Sequence, residues 1–119
     1  MTPAIFGISG LELTADERAF FKDADPAGYI LFGWNCDSKD QLRKLTDDLR
    51  EIHGRKRLIV SIDQEGGRVQ RLKPPHWRDA PAAAVFKALA GLHRGLGVEA
   101  ARLNAQLIAA ELARVGITV

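Results

Sequence analysis

Hydrophobic positions along this chain follow two alternating patterns. Short continuous apolar runs give way to longer stretches in which apolar residues return every three or four positions. The runs cover 4–9 (AIFGIS), 28–32 (GYILF) and 57–62 (RLIVSI). Runs of this length, rich in β-branched and aromatic residues and closed by glycine or polar residues, predict buried strands. Residues 14–24 predict a helix, with Thr14 as its cap and Glu17 completing a capping-box pattern. Ser38 is placed to cap a second helix, in which Leu42, Leu45 and Leu49 share one face and Gly54 stands at the C-cap. Residues 82–93 are weakly helical. The strongest helical pattern covers 98–115, with Leu103, Leu107 and Ala110 on one side, Ile108 and Leu112 beside them, and Gly116 at the end.

Strand and helix alternate, which predicts an α/β fold with a parallel sheet and crossover helices. The strands are continuous apolar runs, as expected where both sheet faces are covered. The last run, ITV at 117–119, is shorter than the usual strand of about 5–6 residues. The expectation is therefore that the chain is the front part of something longer.

Composition narrows the class. With 119 residues, 46% hydrophobic and 27% charged, the chain is ordinary globular protein. Seventeen basic against fifteen acidic residues leave a net charge of +2, scattered rather than striped, so nucleic acid is not an expected partner. No stretch approaches the roughly 18 apolar residues of a membrane span. A single cysteine, Cys36, excludes an internal disulfide and favours a reducing compartment. The first ten residues carry no signal-peptide pattern, and a cytoplasmic protein is expected.

The chemistry concentrates in 58–72, LIVSIDQEGGRVQRL, where an apolar run breaks off into two acids, two glycines and two arginines. In α/β folds, polar groups at the C-terminal ends of parallel strands face the ligand site. Asp63, Glu65, Arg68 and Arg71 could bind a polyhydroxylated or anionic small molecule. They could equally be a tight turn in which acid and base pair with each other. Asp63 and Glu65 are poor candidates for a glycosidase pair: at i and i+2, about 7 Å apart, both would lie on one side of the bond they should flank. GLGVEA at 95–100 matches a dinucleotide fingerprint but lacks the preceding strand, and reads as a helix-entry loop. His53, His76 and His93 have no metal-ligand spacing. Cys36 reads as a non-catalytic thiol. Trp34 and Trp77 could stack on a sugar, but each is expected to be a loop residue covering core.

SIDQEGGRVQRL resembles the signature of family 3 glycoside hydrolases, in the branch of bacterial β-N-acetylglucosaminidases of peptidoglycan recycling. FGISG…LTADE, PAGYILFGWN and ELARVGITV resemble, in the same order, the segments around it. The resemblance implies the N-terminal part of a (β/α)₈ TIM barrel of about 250 residues. Residues 1–119 would be an incomplete portion of one catalytic barrel, with about three β/α units and the start of strand four. It implies retaining hydrolysis of terminal β-linked N-acetylglucosamine from muropeptides, with no metal or organic cofactor. The nucleophilic aspartate and the acid/base histidine are expected beyond Val119, so no catalytic residue is assigned here. Asp63 resembles the aspartate that hydrogen-bonds the terminal sugar, and Arg71 the arginine that also reaches it. Glu65 and Arg68 are expected to stabilise the loop. Asn35 matches the family pattern, whereas Trp34 stands where an arginine is usual. A different class also fits the residues: a stand-alone, non-catalytic α/β sugar-binding module.

Overall fold

The computed structural model describes residues 1–119, which form two compact units: 1–62 with 113–119, and 63–112. In the first unit, strands β1 (Thr2–Phe6), β2 (Pro26–Leu31) and β3 (Ile59–Ile62) make a parallel sheet in that order. Helix α1 (Ala15–Ala24) connects β1 to β2, and α2 (Lys39–His53) connects β2 to β3. This is the predicted alternation.

The strand bounds differ from the apolar runs, and side chains account for the difference. β1 stops at Phe6 rather than continuing to Ser9. The Ile8 carbonyl is taken by the Asn35 Nδ2 (3.0 Å) and the Trp34 Nε1 (3.1 Å), and the Ser9 amide donates to Glu17 (2.8 Å). β2 stops at Leu31 because the Phe32 amide donates to the Asn35 Oδ1 at 2.9 Å. The backbone of 7–10 and 32–35 is thus satisfied locally and leaves the sheet.

Helix ends follow the sequence closely. Thr14 and Glu17 form a full capping box on α1. Ser38 caps α2 by accepting from the Gln41 amide, and Gly54 closes it in the left-handed region at φ 59°. Leu42, Leu45 and Leu49 are fully buried, with Tyr29, Leu31, Leu58 and Val60 in the same unit's core. The expectation that both faces of every strand are covered holds for β2 and fails at Ile5 of β1 and Ile59 of β3, which are exposed. Residues 117–119 lie beside β3: the Val119 amide donates to the Val60 carbonyl (3.1 Å), and its carbonyl accepts from Ile62 (3.0 Å). That exchange is a parallel-ladder pattern, so the expected start of a fourth strand is seated in the sheet's hydrogen-bonding direction.

The second unit contains a hairpin, β4 (Gln64–Gly66) with β5 (Val69–Gln70), helix α3 (Ala83–Leu92), and all but the last two residues of α4 (Arg94–Arg114). The hairpin was expected to be loop. Helix α4 starts four residues before the predicted 98, so GLGVEA lies inside it and is not a helix-entry loop. His93 explains the early start: its carbonyl accepts from Gly97 (3.0 Å) and its Nδ1 from Leu96 (3.2 Å), supplying the acceptors that a serine or aspartate cap would give. Gly97 is required by packing, since a Cβ there would lie 2.4 Å from the Cα of Ala90 on α3.

Candidate functional site

Asp63 is the first residue after β3, at the C-terminal end of a parallel strand. The hairpin that follows places Arg71 back against it: the Arg71 Nη2 donates to the Asp63 Oδ2 at 3.2 Å. The Asp63 side chain is 51% exposed and the Arg71 side chain 31%. Both groups therefore remain accessible to a solute while pairing with each other.

Three features fix this geometry. Gln64 clamps the returning strand: its Oε1 accepts from the Arg71 amide (2.9 Å) and the Leu72 amide (3.0 Å), and its Nε2 donates to the Leu72 carbonyl (2.9 Å). Gln70 is buried and ties the hairpin to the segment that follows it, donating to the Asp79 Oδ1 (2.5 Å) and accepting from the Ala80 amide (3.2 Å). The turn needs both glycines. Gly66 and Gly67 have φ of 95° and 61°, and a Cβ on Gly66 would fall 2.3 Å from the Pro81 carbonyl oxygen. The Gly67 amide donates to the Ala80 carbonyl at 2.7 Å.

The two sequence readings of the motif thus meet in one arrangement. Asp63 and Arg71 do pair, and they do so at an exposed strand end. Glu65 and Arg68 do not brace the loop: both are exposed and neither forms an ion pair or side-chain hydrogen bond. The two glutamines do that work instead. Their amides offer donor and acceptor from one group, which suits a returning backbone better than a charge. Nothing in the pattern of residue types marks the two glutamines for that work.

Most of the remaining candidates take structural places, while Trp34 and His76 are exposed. Trp77 is buried and unavailable to a ligand. Trp34, in a short 3₁₀ turn (Gly33–Asn35), is 59% exposed and stacks on Phe32 instead of covering core. Asn35 is fully buried and also donates to the Gly10 carbonyl at 2.7 Å. Burial pushes the Cys36 thiol up to about 11, away from any nucleophilic role at neutral pH. His53 is buried between the Tyr29 hydroxyl (Nε2, 2.6 Å) and Asp25 (Nδ1, 3.3 Å), and Arg55 pairs with the same Asp25 at 2.9 Å. His93 caps α4. No three of the His, Cys, Asp and Glu side chains gather where they could hold a metal ion.

An exposed carboxylate and guanidinium held 3.2 Å apart by neutral amides can accept from and donate to neighbouring hydroxyls at once. Similarity to known proteins agrees in kind. The family model described as "Glycosyl hydrolase family 3 N terminal domain" matches residues 6–119. A β-hexosaminidase of Thioalkalivibrio sulfidiphilus is 41% identical over 117 residues, which is 97% of this chain and 33% of that protein. The crystal structure of NagZ from Neisseria gonorrhoeae in complex with N-trifluoroacetyl-D-glucosamine superposes with a TM-score of 0.83 at 30% identity, over 98% of this chain and 33% of that one. A family 3 β-N-acetylglucosaminidase from a Paenibacillus species gives 0.84 at 31% identity, over 96% and 21%. The chain spans about a third of the length of the curated relatives it matches.

Proposed function

The chain belongs to glycosyl hydrolase family 3, in its N-terminal domain, and on that premise we propose that it supplies the sugar-holding part of a β-N-acetylhexosaminidase. In this reading Asp63 and Arg71 hold the terminal N-acetylglucosamine. The carboxylate accepts from paired hydroxyls, and the guanidinium donates to ring substituents. The substrate is a peptidoglycan fragment ending in β-linked N-acetylglucosamine, met in the cytoplasm and hydrolysed with retention. The nucleophile and the acid/base group are supplied by sequence other than 1–119, so this chain binds and orients.

The observation that carries the reading is the Asp63–Arg71 pair, accessible at a strand end and held by a clamp that uses no charge of its own. In the absence of sugar the two groups satisfy each other. A vicinal diol exchanges that single contact for several charge-assisted hydrogen bonds, each about 1.5–3 kcal/mol when desolvated. The test is calorimetric titration of the protein with N-acetylglucosamine. Asp63→Ala and Arg71→Ala are each expected to weaken binding by roughly 1.5–3 kcal/mol. Unchanged affinity in both variants removes the proposed site.

A further inference from the structure

The hairpin that carries Asp63 and Arg71 has a second support, and all of its members lie within residues 63–112. Successive side chains along a strand point to opposite faces. Arg71 therefore reaches Asp63 only while its neighbour Gln70 points the other way. Gln70 opposes Gln64 across the hairpin and is buried. Whatever holds Gln70 inward also holds Arg71 outward.

Two groups hold it. The Asp79 Oδ1 accepts from the Gln70 Nε2 at 2.5 Å, and the Ala80 amide donates to the Gln70 Oε1 at 3.2 Å. The Ala80 carbonyl accepts in turn from the Gly67 amide at 2.7 Å. The segment after the hairpin thus grips both its turn and its second strand. Asp79 is the informative member. It is exposed, yet its one side-chain hydrogen bond goes to the amide of a buried residue rather than to a cation. A carboxylate can only accept. It admits one orientation of the Gln70 amide, with nitrogen towards Asp79 and oxygen towards Ala80. The flipped amide would set acceptor against acceptor at Asp79 and donor against donor at Ala80. A charge-assisted bond is about twice as strong as a neutral one, so the carboxylate supplies the larger part of that selection.

We propose that Asp79 is a positioning residue for sugar binding, acting through Gln70 to keep Arg71 turned towards Asp63. The proposal rests on the sugar-holding reading above and names a residue that sets the affinity of that site. An Asp79 that only stabilised the fold would lower the fraction of folded chains, and with it the binding stoichiometry, while leaving Kd at the parent value.

The experiment titrates the full chain with N-acetylglucosamine in a calorimeter and compares Asp79→Ala with Asp79→Asn. Asparagine keeps an acceptor for Gln70, and alanine removes it. Kd is expected to rise about three- to tenfold in Asp79→Ala and to stay within about twofold of the parent in Asp79→Asn. A second measurement needs no sugar. The Arg71 Nε–Hε cross-peak of the isotope-labelled chain is expected to move in Asp79→Ala and to hold its place in Asp79→Asn. A parent Kd in Asp79→Ala, with binding still lost in Asp63→Ala, overturns the positioning role and leaves the sugar site standing. An Arg71 cross-peak unmoved in Asp79→Ala overturns the coupling whatever the sugar does. No saturable binding to the parent chain overturns the sugar-holding reading and this role together.

Discussion

The resemblance singles out Asp63 and Arg71 from the motif's charged residues, whereas nothing in the sequence singles out Gln64, whose side chain accepts from the Arg71 amide. The charged residues draw attention because ions at a strand end suggest a ligand. A glutamine between two acids looks like filler until its three hydrogen bonds to Arg71 and Leu72 are seen. Glu65 and Arg68 show the converse, since they share the motif's charge and touch no partner. Hydrogen-bond geometry, not residue type, separates the two cases, and one sequence alone does not contain it. The clamp has a measurable consequence. Gln64→Ala leaves the amides of Arg71 and Leu72 and the Leu72 carbonyl without their partner, at a cost of about 1–3 kcal/mol. Thermal unfolding is expected to shift down accordingly, and sugar affinity to fall although no sugar contact is removed. Gln64→Glu keeps the two acceptor bonds and loses the donor, so it is expected to lie between the parent and the alanine variant in both measurements.

At the scale of elements, caps and periodicity were legible, and side-chain interception of the backbone was not. Thr14, Ser38, Gly54 and the leucine stripe of α2 all stand as their spacing implied. The β4–β5 hairpin escaped notice because strands of three and two residues carry no usable period. The early start of α4 escaped because histidine is not a usual cap. One junction between elements gives a pH signature. His53, the last residue of α2, meets Tyr29 of β2 and Asp25, whose other oxygen faces the N-terminal amine at 3.2 Å. Burial holds His53 below its ordinary value of 6.5, and Arg55 adds to the shift against the opposing pull of Asp25. Burial likewise pushes the Tyr29 hydroxyl up to about 12, so it stays protonated and can donate to the neutral imidazole. A histidine whose folded value is depressed takes up protons first in the unfolded chain. Its contribution is full above 6.5 and is lost as pH falls through 6.5 towards the folded value. Asp25 and Glu17 are also held low, and their contributions fade only in the separate carboxylate range below about 4.5. The melting temperature is therefore expected to drop between pH 7.5 and 5.5, and His53→Gln to flatten that limb. A slope unchanged in the variant assigns it to other groups.

At the scale of the whole molecule, two features stand against independent action: uncovered apolar surface, and the kind of chemistry the chain can hold. The predicted apolar side of α4 is present but exposed. Leu96, Leu103 and Leu107 fall on one stripe at spacings of seven and four, and Leu92 at the end of α3 is 88% exposed. Apolar area of that kind favours association, so the 119-residue chain is expected to self-associate in sedimentation runs as its concentration rises. A Leu103→Gln/Leu107→Gln double variant is expected to reduce that tendency without changing the α4 helical signal. Catalysis is the sharper case. Hydrolysis of a glycoside needs a nucleophile on one side of the scissile bond and an acid/base group placed to protonate the leaving oxygen. Under the proposed function Asp63 and Arg71 hold the sugar, and one oxygen of the carboxylate already faces the guanidinium at 3.2 Å. Glu65, the other acid of the motif, has no residue orienting it. His53 is buried away from solvent, His93 is spent on a helix cap, His76 is exposed with no carboxylate paired to it, and the Cys36 thiol is raised by burial. Tight holding of the ground state does not lower the barrier to bond cleavage. The purified 119-residue chain is therefore expected to release no nitrophenol from a nitrophenyl β-N-acetylglucosaminide above a buffer blank, while still binding N-acetylglucosamine. Turnover that survives repeated purification and disappears in Asp63→Ala would make Asp63 a reacting group rather than a holding one.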